Sequence, residues 1–154
     1  MSSFVTIFLV CEKDRIGRVV VVIWREMSFS TKKQVDFLEI TSMLQNDLEQ
    51  TGIKNGVGFL LVPHTTAGLT INENADPDVV HDMINALDRL VPSSMNFRHG
   101  EGNSPAHIKA SLMGSSLLVP VENGAIRLGT WQGIYLCEFD GPRRRRLLVK
   151  WQEG

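Results

Sequence analysis

The sequence predicts a single α+β domain with a largely antiparallel sheet and about three helices. Three observations lead there. Apolar runs of strand length recur along the 154 residues. Two proline-marked helix starts, Asp76-Pro77 and Ser104-Pro105, fall in the middle of the chain. From Ser116 onward the apolar period becomes strand-like, with turn dipeptides between the runs. The length suits one domain, and 43% hydrophobic with 21% charged residues suits a packed core.

The elements are justified in chain order. Phe4–Val10 and Arg18–Trp24 read as strands joined by the polar turn Glu12–Gly17. Ser28–Glu39 alternates loosely and reads as a further strand. Thr41 is placed to cap a helix through Gln50, with Met43, Leu44 and Leu48 inward and Gly52 as the stop. Gly56–Val62 is almost continuously apolar, which predicts a central strand covered on both faces. His64–Asp78, HTTAGLTINENADPD, then reads as one polar connection to a helix opened by Asp76 and Pro77. Val79, Val80, Met83, Ile84, Leu87, Leu90 and Val91 share one face of that helix, and Pro92 ends it.

A shorter helix follows from Ser104, the expected cap, to Gly114. Four strands close the chain as a meander: Ser116–Val121, Ala125–Thr130, Ile134–Phe139 and Arg145–Trp151. Asn123-Gly124 and Asp140-Gly141-Pro142 mark turns between them. Gly129–Gly133 interrupts the meander, and Trp131 is expected in the core.

Composition excludes some partners. A net charge of −1 offers no global attraction to nucleic acid or to a membrane surface. No apolar stretch reaches the roughly 18 residues of a membrane helix. The opening MSSFVTIFLV lacks the basic flank and cleavage site of a signal peptide, so a cytoplasmic location is expected. Cys11 and Cys137 lie in apolar runs and read as buried free thiols.

Polar groups concentrate in two segments, the one at His64 and HGEGNSPAH at His99, which hold three of the four histidines. His81 falls on the polar face of its helix and is read as solvated. His64, His99 and His107 could form a metal site with an open position, although their spacing matches no diagnostic zinc motif. Each is otherwise an ordinary hydrogen-bonded histidine. The glycines, Asn103, Ser104 and the free N–H groups of the following helix suit an anion, with no Walker A or dinucleotide fingerprint present. Lys109 and the arginines at 143–146 add positive charge. If that arginine run is a strand, Arg143 and Arg145 face one side and Arg144 and Arg146 the other. Glu73 and Glu101 are the candidate acid–base carboxylates.

HTTAGLTINENADPDV, HGEGNSPAHIKASLMG, LGTWQGI and EFDGPRRR, in that order, resemble the YjbQ-like family of secondary thiamine-phosphate synthases. The resemblance runs from about Met27 to Val149. Residues 1–26 are therefore read as an extension of unknown role, and residues 27–154 as the YjbQ-like domain. The resemblance implies an α+β fold, a homotrimer, a transferase activity and a site built around the histidines. By position it carries over His64, Thr65, Glu73, His99, Glu101, Asn103, His107, Gln132 and Arg143.

Both readings together make Glu73 and Glu101 the catalytic candidates. Thr65, Thr66, Asn103, Ser104, Gln132 and Arg143 are the candidates for holding a phosphorylated metabolite. His64, His99 and His107 are the candidates for a divalent metal, either zinc-type or magnesium. The expected function is joining a pyrimidine pyrophosphate to a thiazole phosphate. The alternatives are a metal-dependent hydrolase with a glutamate base, and a non-catalytic trimeric metabolite-binding protein.

Overall fold

The computed structural model describes residues 5–13 and 19–154, with side chains from residue 24 onward. Much of the expected turn over Glu12–Gly17, and the side chain of Cys11, lie outside the described residues. The order is β1 (Val5–Lys13), β2 (Val19–Ser30), β3 (Asp36–Glu39), α1 (Thr41–Glu49), β4 (Gly56–Leu61), β5 (Ala67–Glu73), α2 (Pro77–Leu90), α3 (Ser104–Met113), β6 (Ser116–Glu122), β7 (Ala125–Ile126), β8 (Gln132–Glu138) and β9 (Arg144–Glu153). A six-stranded sheet runs β1-β2-β9-β4-β6-β7 and a three-stranded sheet runs β3-β8-β5. The neighbours in both are antiparallel.

The larger sheet, the smaller sheet and the α2–α3 pair form three layers. Leu60, Val119, Leu147 and Val149 of the larger sheet meet Leu69, Ile134 and Leu136 of the smaller, and α1 adds Leu44 and Leu48. On the other face of the smaller sheet, Phe37, Tyr135, Cys137 and Phe139 pack under Val80, Met83, Ile84 and Leu87 of α2 and Ala106 and Ala110 of α3. Alternate residues of β8 therefore enter two different cores, and the strand is buried from Gly133 to Glu138. Cys137 is buried and unpaired, and burial pushes its thiol pKa well up.

Several expectations change. Gly56–Val62 was expected to be covered on both faces, yet β4 alternates, with Leu60 inward and Val57 exposed. β4 is central in its sheet because β9 and β6 flank it, while the doubly covered strand is β8. Ser28–Glu39 divides between the end of β2 and β3. The polar connection from His64 contains a strand, β5, whose Leu69 and Ile71 face inward and which pairs with β8 from Ala67↔Glu138 to Glu73↔Gln132. The closing strands are no meander, because β8 belongs to the other sheet.

β7 shrinks to two residues opposite Glu122 and Val121. Next along β6 is Pro120, which has no N–H and only accepts from Arg127 N–H at 2.9 Å. Trp131 is 65% exposed, not core, because it sits in the turn closed by Gln132 N–H to the Gly129 carbonyl, beyond the packed end of β8.

The helix signals fare differently from one another. Asp76 caps α2 as its sequence predicts, its carboxylate accepting from Asp78 N–H at 2.9 Å. Thr41 instead is the first residue of α1, and its hydroxyl accepts from Ile134 N–H at 2.8 Å. Glu39 takes over at that end, accepting from Thr41 N–H. Leu90 is exposed despite its apolar position on α2. Asn123 and Gly124 both have positive φ, as a tight hairpin turn between β6 and β7 requires. β2 runs unbroken through residue 26, so the boundary drawn there falls inside a strand. Among the described residues no helix is long and apolar enough to cross a membrane.

Candidate functional site

A cavity of about 480 Å3 opens where the N-terminal end of β9, the turn after β8, the segment after β4 and the start of α3 converge. Its walls are Pro63, His64, Thr65 and Thr66 on one side and Glu101, Asn103 and His107 on another. Asp140, Arg143 and Arg145 complete it. A second cavity of the same size shares His64, Thr65 and His107 and continues toward Ala67 and Ser111.

Close approach of α3 to β5 brings His107 to His64. Gly68 permits it, since a Cβ there would stand 2.8 Å from the Gly114 carbonyl oxygen and 2.9 Å from Met113 Cβ. Leu69 N–H donates to that same Gly114 carbonyl.

Arg145 is the fixed centre of the cavity. It is 4% exposed, and Glu138 beside it is fully buried. Arg145 Nε donates to Glu138 Oε2 at 2.7 Å, and its NH2 group donates to Oε1 at 2.5 Å and to Thr66 Oγ1 at 2.8 Å. Thr31 Oγ1 and Asp140 N–H also donate to Glu138. Burial alone would raise the Glu138 pKa. The hydrogen bond from Arg145 and that from Asp140 N–H outweigh it, so the pKa lies below the usual carboxylate value. The guanidinium is thus held in one orientation by a charge-assisted pair.

Arg143 is exposed and held through Asp140, with Nε on the Asp140 carbonyl at 2.5 Å and NH2 on Oδ2 at 2.6 Å. Arg144 and Arg146 point away, as the strand period predicts, and Arg146 meets Glu26 at 3.5 Å.

His64 Nε2 accepts from Arg146 N–H at 2.8 Å. The neutral ring must then carry its proton on Nδ1. Burial first, then the charges of Arg145 and Arg146, hold its pKa below the ordinary 6.5. His64 is therefore a neutral ring that presents an N–H donor, with its other nitrogen's lone pair already engaged.

His99 and His107 stack edge to face with ring centroids 5.5 Å apart. His99 stands 3.8 Å from the exposed Glu101 carboxylate. His99 and Ser104 line a separate hollow of about 340 Å3, into which His107 also reaches. Among the described residues no group of three or more His, Cys, Asp and Glu side chains is placed to hold a metal ion. A metal bound by Nε2 of His64 would have to displace the Arg146 N–H.

The remaining candidates divide by position. Glu73 and Gln132 sit opposite each other at the far end of the β5–β8 pair. Six residue steps of strand separate Glu73 from Ala67, on the order of 20 Å. Gln132 Oε1 accepts from Gly129 N–H and so holds a turn. Neither residue lines the cavity within one chain.

The start of α3 differs from expectation as well. Asn103, not Ser104, is its cap position, and the Asn103 side chain does not cap it. Ala106 and His107 N–H both go to the Asn103 carbonyl, and Pro105 has no N–H. Few backbone donors therefore remain there for an anion. His81 bonds with Asn85 on the surface of α2, as read.

Glu138, Asp140 and Thr31 were not singled out from sequence. The signal for Glu138 was present: one carboxylate inside the apolar run Ile134–Phe139 requires a buried partner.

Comparison with known proteins agrees with this architecture. Residues 25–154 match the model of the family described as "UPF0047 protein YjbQ-like". The chain belongs to the UPF0047 YjbQ-like family. A UPF0047 protein of Methanocaldococcus jannaschii is 52% identical over 120 residues, covering 78% of this chain and 87% of that protein. Bacillus subtilis YugU is 49% identical, covering 82% and 96%. A Clostridium acetobutylicum crystal structure from the YjbQ/UPF0047 family superposes with a TM-score of 0.81 at 50% identity, covering 82% of this chain and 98% of that one. A YbjQ-like protein of Sulfolobus solfataricus reaches 0.82 at 31% identity, covering 86% and 98%. The family match begins inside β2, so β1 lies outside it.

Proposed function

We propose that the cavity binds the phosphate or pyrophosphate of a small metabolite, as one half of a group transfer. The reaction that fits the family resemblance joins a pyrimidine pyrophosphate to a thiazole phosphate. The observation that carries this reading is the donor set. Arg145 is locked by Glu138, Arg143 is held by Asp140, and neutral His64 has Nε2 capped by Arg146 N–H, leaving Nδ1–H as its donor.

The chemistry needs little more from the protein. The carbon–oxygen bond to pyrophosphate breaks with its electron pair leaving on oxygen. The thiazole nitrogen lone pair forms the new carbon–nitrogen bond. Charge develops on the departing oxygen, where preorganised donors stabilise it more than they stabilise the bound substrate. No cysteine lines the cavity among the described residues. His64 Nε2 is not free to activate Thr65 as a nucleophile. Among the described residues the donor arrangement of a single chain does not fit a divalent metal.

The same resemblance supports a homotrimer. Ile108 and Leu112 on α3 and Leu118 on β6 are large apolar side chains left exposed in one chain, and packing between copies would cover them. Sedimentation at micromolar concentration reads this directly, and a monomer mass would overturn it.

Two measurements test the activity. Calorimetric titration with inorganic pyrophosphate should show saturable binding that weakens at least tenfold in Arg145→Gln. Incubation with the two precursors should yield thiamine phosphate. Absence of any pyrophosphate binding at millimolar concentration would overturn the anion site. Binding without product would leave a metabolite-binding protein and overturn the transferase.

A further inference from the structure

Thr31, the first residue past β2, is 6% exposed and lines none of the three cavities described above. Its hydroxyl nevertheless touches the supports of both arginines of the site. Thr31 Oγ1 accepts from Arg143 N–H at 2.8 Å, and Thr31 N–H donates to the Arg143 carbonyl at 2.9 Å. The single hydroxyl proton has two acceptors in reach, Glu138 Oε2 at 3.0 Å and the Arg143 carbonyl at 3.1 Å. The carbonyl already has the Thr31 N–H and the carboxylate is charged, so the proton goes to Glu138.

That bond completes Glu138. A carboxylate offers about four acceptor sites. Arg145 Nε and its NH2 group take two, Asp140 N–H takes one, and Thr31 takes the last. Asp140 in turn holds the Arg143 guanidinium. The backbone of one arginine and the carboxylate that locks the other are thus joined through one hydroxyl. Gly141 lets the turn between them lie on Thr31, since a Cβ there would stand 2.9 Å from Thr31 Oγ1 and 3.0 Å from Glu138 Cγ.

We propose that Thr31 is a positioning residue that sets the Arg143 and Arg145 guanidiniums in register, so that both engage one pyrophosphate. Both arginines line the cavity, and Thr31 fastens them to each other from behind its wall. Donors ordered in advance bind without the cost of being ordered by the ligand. The inference rests on the phosphate reading above and adds the residue that makes two cations act as one.

The test is a double-mutant cycle, read by titration calorimetry of the full chain with inorganic pyrophosphate at low salt. Thr31→Val removes the hydroxyl, keeps the branched shape and should weaken binding about tenfold. In an Arg143→Gln chain no register remains to be lost, so adding Thr31→Val should cost less than about threefold. Thr31→Ser keeps the hydroxyl and should bind within about threefold of the parent. Thermal melting checks folding, and Thr31→Ala replaces Thr31→Val if that variant does not fold.

Equal losses in the two backgrounds would leave Thr31 a merely structural role and overturn the assignment. Thr31→Ser binding as weakly as Thr31→Val would overturn it, and so would unchanged binding in Thr31→Val. In each of these cases the parent's own binding leaves the anion site standing. No binding by the parent would remove the phosphate reading itself, and this inference with it.

Discussion

Arg25 and Arg145 are both arginines buried on the inward face of the larger sheet, near opposite ends of the core between the layers. Each is fixed by a carboxylate from outside that sheet. At one end, Arg25 Nε donates to Asp47 of α1 at 2.5 Å, its NH2 group reaches Gln50, and Trp151 Nε1 donates to the other Asp47 oxygen at 2.8 Å. At the other end, Arg145 pairs with Glu138, Thr66 and, through Glu138, Thr31. In the first cluster both Asp47 oxygens are taken, one by Arg25 and one by the Trp151 indole. The second opens on a cavity with His64, Arg143 and Asn103 around it. The same residue types thus close a core in one place and build a wall of a site in the other. Exposure does not separate them, since Arg25 is 7% exposed and Arg145 4%; Arg145 differs in lining the cavity.

The comparison breaks most visibly when one partner is removed. Glu138→Ala and Asp47→Ala each leave a buried guanidinium unpaired, which should cost about 3–5 kcal/mol in denaturant unfolding. Millimolar pyrophosphate should restore part of the loss in Glu138→Ala and none in Asp47→Ala, because Arg145 lines the cavity assigned to the phosphate. Equal rescue in both, or none in either, would remove the distinction.

Replacing whole pairs by apolar residues sharpens it. Arg25→Met with Asp47→Leu, and Arg145→Met with Glu138→Leu, should each stay within about 2 kcal/mol of the parent stability. Pyrophosphate binding should survive the first and fall at least tenfold in the second. Loss in both would mean that the Arg25 end also supports the site.

Acid acts through the Arg145 end. His64 has a folded pKa below its ordinary 6.5, so the unfolded chain takes up the proton first. Stability from this group is complete above about pH 6.5 and is lost as pH falls through the folded value. Glu138, also lowered, adds a second loss below its ordinary 4.5. Urea unfolding in His64→Gln should lack the first slope and keep the second. The smallest effect belongs to the surface. Arg127 and Glu122 form an exposed pair at 2.8 Å, and Arg127→Ala should change stability by no more than about 0.5 kcal/mol.

Signals confined to a few neighbouring residues were legible in the sequence. Asp76-Pro77 opens α2, Asn123-Gly124 turns β6 into β7, and the alternation of the arginine run separates Arg145 from Arg146. Each depends on the geometry of one turn or one strand. Tertiary structure decided what depends on partners far along the chain. β5 is a strand because β8, 59 to 71 residues away, supplies its hydrogen bonds, although its half-buried Thr70, Asn72 and Glu73 read as a polar loop. Thr41 lost its capping role to a bond with Ile134, and Ser104 lost its cap position to Asn103, whose side chain bonds Asp140 instead. His64, read as a metal candidate, became an N–H donor once β9 brought Arg146 N–H to its Nε2. Glu73 and Gln132 share motifs with the cavity residues but lie a strand's length away in the same chain. Local sequence determines which conformations and donors are available. Which lone pair or proton remains for a ligand is decided only when distant strands have taken theirs.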